Sequence, residues 1–468
     1  MAGSSSITRR ALTLAAGIAI AGHIAVSAPA SAEPSVPVQP ALPFPHFPLP
    51  PELDPGFYDP PADVVASKAP GELIAARQVT LANLSLIPVN VDAWQLSFRS
   101  NNTRGEAIPS VATVIKPRGN GTGARNLLSF QPAEDSLGHY CTASYALQQG
   151  SLPGLITGQQ VLTAQFLEIQ AAVAQGWAVV VPDHQGPDSA YAAGPLAGRI
   201  TLDGIRAAEN FDLLGLAGRD TQVAMLGYSG GAIATGHAAE LHESYAPELN
   251  IVGAAEGGIP ADITAMLNLA DNNAASGLIM GGMIGVSREY PELAALMNAK
   301  LDPLGQALVA AKNPLCVAYQ AALLPFGNLK GMFDTPGDPL DDPIAKSVLD
   351  KIKMGKSVPQ FPMYMYQANP DWIVPVGPVN TLVDTYCKDP NAKVQYTRDH
   401  FSEHITLEIA AVPSALLWIR DRFAGVPVAA GCTTTDVGSM ALDERTWPVW
   451  QSVVGDLVAG LFGKPIGS

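Results

Sequence analysis

The stretch QVAMLGYSGGAIATGHAAEL, residues 222–241, sets one hydroxyl, Ser229, among glycines where two patterns meet. Before it, Val223 to Leu226 is an unbroken apolar run, as a strand buried on both faces requires. After it come small residues that suit a closely packed helix. Gly227, Tyr228, Ser229, Gly230 and Gly231 match G-x-S-x-G, the nucleophile elbow. In that elbow the serine occupies a strained strand-to-helix turn, and the turn closes only where its neighbours lack bulk. The pentapeptide alone arises by chance; the strand and helix around it make Ser229 a candidate nucleophile.

Outward from this joint the chain alternates. NLLSFQ (126–131), WAVVVPDH (177–184) and IVGAAEGG (251–258) read as further buried strands, with helical stretches at 163–176 and 202–216 between them. Segments 78–100 and 108–117 read as early antiparallel strands. The rhythm stops over 261–350, an Ala-, Leu- and Met-rich region of helical pattern, and resumes at QFPMYMYQAN (360–369) and AKVQYTRD (392–399). This predicts an α/β fold, a mostly parallel doubly wound sheet, with a core of residues 57–260 and 351–432 and an inserted helical cap at 261–350. A further amphipathic helix is expected near the C-terminus.

The 468 residues carry 27 basic and 42 acidic side chains, a net charge of −15, with no basic run after the N-terminus. That disfavours nucleic acid and anionic membrane surfaces as partners. Residues 1–32 read as an export signal: Arg9 and Arg10 precede an apolar stretch and the small-residue site Ala30-Ser31-Ala32. The paired arginines point to the twin-arginine route, with Sec as the other. The apolar stretch is too short and too diluted for a membrane anchor, so the expected product is secreted. Residues 33–56 are a proline-rich linker. Four cysteines in an exported chain predict two disulfides, with three connectivities open, and no spacing suited to zinc.

A serine needs a histidine to take its proton and an acid to orient that histidine. Only His400 and His404 follow residue 242, both between the last expected strand and the helix HITLEIAAVPSALLWIRDRF (404–423). His404, nearer the helix start, is preferred; His400 reads as a loop contact. Asp371, in the turn after the strand ending at Gln367, is the preferred acid over Asp384, Asp389 and Asp399. Its alternative role is turn capping. The Gly230 N–H and Asp135, in the loop QPAEDSLG (131–138), are candidates for the oxyanion hole. An acidic loop is more often solvated, so the residues alone leave Asp135 open.

Taken together, PAEDS, GWAVVVPDHQGPDSAYAAG, LDGIRAA, GYSGGA, NPDWIVP, SEHITLEIAAVPSALLWI and GKPIG resemble, in order, the secretory lipase family of the Candida antarctica lipase A type. The resemblance implies an α/β-hydrolase fold with a helical lid and a C-terminal flap at 433–468. It implies a triad of Ser229, Asp371 and His404 and an oxyanion hole of Asp135 and Gly230. It implies disulfides Cys141–Cys316 and Cys387–Cys432, and no metal or organic cofactor. The chain departs from the family's pattern at Gln131-Pro132-Ala133, where many relatives carry an aromatic residue before the acidic pair. The expected activity is hydrolysis of carboxylic esters, triacylglycerol or other acyl esters, at a lipid–water interface. The rivals are a carboxylesterase or acyltransferase for short or bulky soluble esters, and a catalytically silent cell-surface binding protein.

Overall fold

A computed structural model describes residues 36–43, 46–119 and 123–467. The export signal expected at 1–32 lies outside them. Eleven strands form one sheet: β1 (Val38–Gln39), β2 (Leu73–Gln78), β3 (Asp92–Asn101), β4 (Ala107–Lys116), β5 (Leu127–Gln131), β6 (Ala178–Pro182), β7 (Val223–Tyr228), β8 (Ile251–Gly257), β9 (Met363–Ala368), β10 (Lys393–Asp399) and β11 (Gly431–Val437). Their order across the sheet is β1-β2-β3-β4-β6-β5-β7-β8-β9-β10-β11. Strands β2, β3 and β4 pair antiparallel, and β4 meets β6 antiparallel. From β6 onward every pairing is parallel.

The central strands β5, β6 and β7 are buried at every position. Continuous apolar sequence is the mark of strands covered on both faces, and two helical layers supply the cover. Helices α1 (Gln160–Ala174) and α11 (His404–Phe423) lie on one face, where Phe166, Ile169, Leu407 and Leu416 pack on Leu128, Val179 and Leu226. Helices α2 (Gly194–Glu209), α3 (Gly230–Tyr245) and α10 (Val376–Tyr386) lie on the other, with Ile200, Ala238 and Val379 over Val114, Val180 and Met225. Burying a Val, Leu, Ile or Phe side chain in this way stabilises the fold by about 1.5–3 kcal/mol.

Between β8 and β9 the described chain is helical: α4 (Ile263–Ala270), α5 (Ser276–Glu289), α6 (Pro291–Lys300), α7 (Pro303–Lys312), α8 (Val317–Ala322) and α9 (Pro343–Ile352). This region has its own apolar core, centred on Met266, Leu278, Ile284 and Met297. Lys312 is wholly buried in it, its Nζ donating to the carbonyls of Gly277 at 3.0 Å and Gln320 at 2.7 Å. Burial lowers this ammonium to about 8. The last helix, α12, spans Trp447–Leu461.

Three details differ from the sequence reading. Val38 and Gln39, in the stretch read as linker, pair in parallel with Ala76 and Arg77. An edge strand uses only one side of its ladder, so it tolerates proline-rich flanks. Residues 433–437, read as flap, complete β11, the far edge of the sheet. Helix α2 begins eight residues before the stretch read as helical, with Pro195 at its start where a missing N–H has no cost. Among the described residues no helix is long and apolar enough to cross a membrane.

Candidate active site

The carboxyl ends of β5, β7, β9 and β10 gather the sequence candidates. Ser229 follows β7 and precedes α3 with φ +52° and ψ −118°, outside the regions that L-residues favour. The strain is held by packing. A Cβ on Gly231 would stand 1.9 Å from the Gln131 carbonyl, and one on Gly227 would stand 2.4 Å from Thr235 Oγ1. These glycines are needed for close approach, because neither has a positive φ.

His404 opens α11, where Glu403 and Thr406 form a capping box. Its Nδ1 lies 2.7 Å from Asp371 Oδ2 and its Nε2 lies 2.9 Å from Ser229 Oγ. A carboxylate only accepts, so Nδ1 carries the proton and Nε2 is free to accept from the serine. The Tyr228 hydroxyl donates to the His404 carbonyl at 2.6 Å, tying the elbow to the histidine's own backbone. Asp371 is nearly buried. Its Oδ1 accepts from the N–H groups of Ile373 and Val374 at 2.9 and 2.8 Å, and its Oδ2 from Gln367 Nε2 at 2.9 Å. Gln367 in turn accepts from the Ile259 N–H. The turn-capping role and the bond to histidine therefore coexist in Asp371, one on each oxygen.

The other candidates sit elsewhere. His400 is exposed and pairs with Asp436 of β11 at 2.7 Å. Asp399 ends β10 and accepts from the N–H groups of Phe401, Ser402 and Met440, fixing the loop before α11. Asp384 is exposed on α10, and Asp389 caps a turn at Asn391.

Residues 132–137 form a loop braced from every side. His184 donates to the Pro132 carbonyl at 2.7 Å, burial lowering the imidazole to about 4 and keeping it neutral. Gln165 of α1 accepts from the Ala133 N–H at 2.9 Å while its amide donates to Glu408 of α11 at 2.5 Å. Glu134 accepts from the Ala143 N–H. Burial first, and then the nearby Asp183, hold the Glu134 carboxyl well above the usual carboxylate range. Ser136 Oγ accepts from the Val317 N–H at the start of α8, and the Leu137 N–H donates to the Leu315 carbonyl. Cys141 and Cys316 are disulfide-bonded across the same seam; the second bond joins Cys387 to Cys432. Asp135, at φ +44°, lies against the elbow: a Cβ on Gly230 would stand 1.7 Å from its Oδ1. Gln165, His184 and Gln367 carry no sequence signal, since single amides and buried imidazoles occur throughout ordinary cores.

A small apolar pocket opens beside Ser229 and Gly230, walled by Tyr191, Leu278, Ile279 and Ile373. Ile263 and Met283 line this pocket and also a second apolar pocket formed within the helical insertion. No group of three or more His, Cys, Asp or Glu side chains placed to hold a metal ion occurs among the described residues.

A mostly parallel sheet with helices on both faces, a strained serine at a strand-to-helix turn and a facing histidine and aspartate define an α/β-hydrolase. A profile of the family described as "Secretory lipase" matches residues 155–431. The chain is 35% identical over 392 residues to the secreted triacylglycerol lipase LIP2 of Malassezia furfur, covering 82% of this chain and 81% of that one. It is 35% identical over 384 residues to a Mycobacterium tuberculosis protein named "Probable inactive lipase MT1628", covering 81% and 84%. The closed-state crystal structure of Candida antarctica lipase A superposes with a TM-score of 0.78 at 30% identity, over 90% of this chain and 99% of that one. The chain belongs to the secretory lipase family and is a carboxylic ester hydrolase.

Proposed function

We propose that this is a secreted lipase that works through an acyl-serine intermediate, with Ser229 as nucleophile, His404 as general base and Asp371 as its orienting acid. One observation carries the reading: the unbroken line from Asp371 Oδ2 through both nitrogens of His404 to Ser229 Oγ, at 2.7 and 2.9 Å. His404 Nε2 takes the hydroxyl proton as Oγ attacks the ester carbonyl. The imidazolium is steadied by Asp371, whose three remaining bonds, from the Ile373 and Val374 N–H groups and from Gln367, keep it in place. The N–H groups of Gly230 and Asp135 hold the tetrahedral oxyanion. Collapse expels the alkoxide, which leaves as the alcohol with the proton from His404. Water then repeats the sequence on the acyl-serine and releases the acid. A cofactor has no step in this chemistry.

The neighbouring relative named as inactive makes the intact geometry matter, since family membership by itself does not guarantee turnover. The apolar pocket at Ser229 supports a fatty acyl chain as the acid part, running toward the helical insertion, which we read as the lid. We further infer that residues 1–32 direct export and are removed.

Hydrolysis of p-nitrophenyl esters from acetate to palmitate, with Ser229→Ala beside the parent, tests this. The variant is expected to lose at least about 10³-fold in kcat, and the parent to prefer long chains. Equal rates for both proteins would remove Ser229 from the chemistry. Activity confined to the shortest esters would favour a carboxylesterase or acyltransferase.

A further inference from the structure

Tyr191 brings to the pocket beside Ser229 a hydroxyl that the reaction as written does not use. Among the described residues that line this pocket, only Ser229 and Tyr191 carry a side-chain oxygen or nitrogen. The rest of the wall is aliphatic side chain, methionine or glycine. Tyr191 belongs to the loop before α2, and Gly282 and Gly285 of α5 let that loop lie directly on the helix. The hydroxyl end of the ring meets Gly282, with Cε1 and Cζ 3.6 and 3.9 Å from where a Cβ there would stand. Tyr191 is 5% exposed, and its hydroxyl has no hydrogen-bond partner among the described residues. The Tyr228 hydroxyl, by contrast, donates to the His404 carbonyl.

A buried phenol without a partner is unfavourable, and folded proteins usually supply one. Burial, and after it the nearby Asp135, hold the Tyr191 phenol well above its ordinary range, so it keeps its O–H to donate. The place of the pocket decides which part of a substrate meets that donor. The departing alcohol takes its proton from His404 and lies on the histidine's side. Neither His404 nor Asp371 lines this pocket. Its wall instead joins Ser229 and Gly230 to Ile263 and Met283, which also line the pocket within the helical insertion. The acyl part of the ester is therefore what lies against Tyr191.

We propose that Tyr191 determines specificity: its O–H donates to an oxygen substituent on one of the first carbons of the acyl chain, so that the site favours hydroxyacyl esters over plain fatty esters. Pockets of this kind choose their ligands by a few placed polar groups in an apolar wall. A substrate that leaves such a donor unpaired is handicapped. The inference rests on the acyl-serine reading above and adds no step to it.

The test is kcat/KM for ethyl hexanoate and for ethyl α- and β-hydroxyhexanoate, followed by pH-stat, in the parent and in Tyr191→Phe. The quantity read is the ratio of each hydroxy ester to the plain ester. Between the two proteins the esters' own reactivity cancels, and so does any change common to all substrates. For at least one hydroxy ester this ratio is expected to fall about tenfold in Tyr191→Phe. Ratios that are the same in both proteins, or higher in the Phe variant, overturn the inference. The substitution breaks no hydrogen bond within the protein, so the variant is expected to melt with the parent. Ser229→Ala separates the two failures. If it stays active the acyl-serine reading goes; if it is dead while the ratios do not differ between parent and Phe variant, only this inference goes.

Discussion

Gly230 shows how much of the site is decided by single atoms. Adding one methyl, in Gly230→Ala, sets a carbon 1.7 Å from Asp135 Oδ1, and the loop or the elbow must give way. We expect kcat to fall about 10²–10³-fold, with KM for a soluble ester little changed and a native near-ultraviolet spectrum. Steady-state kinetics and circular dichroism check both halves. Asp371→Asn is expected to cost about 10⁴-fold in kcat, because an amide in that place no longer fixes the imidazole tautomer. The sequence pointed to these residues because each belongs to a local pattern: small residues around Ser229, a turn after a buried strand at Asp371, a helix start at His404. It was silent on Gln165, whose partners Ala133 and Glu408 lie 32 and 243 residues away. His400 and His404 differ by one turn in the chain, yet register decides between them. Pairing of Arg398 with Asp436 across β10 and β11 puts an acid beside His400 and holds it at the surface.

Strand β8 carries a second consequence of burial. Glu256 is wholly buried, neither carboxylate oxygen has a partner, and burial with nearby Glu240 raises it to about 8. The unfolded chain releases this proton near pH ~4.3. The stability contribution is complete below that value and is lost as pH rises toward 8, by about 1.4 kcal/mol per unit while only the folded state holds the proton. Glu256→Gln is therefore expected to raise the melting temperature at pH 8 and to leave it nearly unchanged at pH 4, in parallel thermal scans. Strand β11 tests another link. Removing the Cys387–Cys432 bond by a double serine substitution is expected to cost about 3–4 kcal/mol in guanidinium melts. This strand was illegible in the sequence for a physical reason. Its exposed Thr433, Thr434, Thr435 and Asp436 show no apolar alternation, because an edge strand open to solvent buries little. The inner strands β5 to β8 were legible because both faces are covered.

Across the molecule six acids share one sign. Glu134, Asp183, Glu168, Glu240, Glu256 and Glu408 all have carboxyl groups raised, chiefly by burial. Each favours the folded state while protonated, so stability is expected to grow as pH falls from about 8 toward about 5, the direction opposite to that of salt-bridged carboxylates. Chemical denaturation at several pH values checks the slope. The helical insertion is joined to the loop of Asp135 by Cys141–Cys316, by Ser136 with Val317 and by Leu137 with Leu315. If the insertion is the lid proposed above, fastening of this kind makes it a hinge leaf and not a loose hatch. On that reading a swing would pull on the cradle beneath, and a reductant that opens Cys141–Cys316 is expected to blunt turnover before it spoils the capture of substrate.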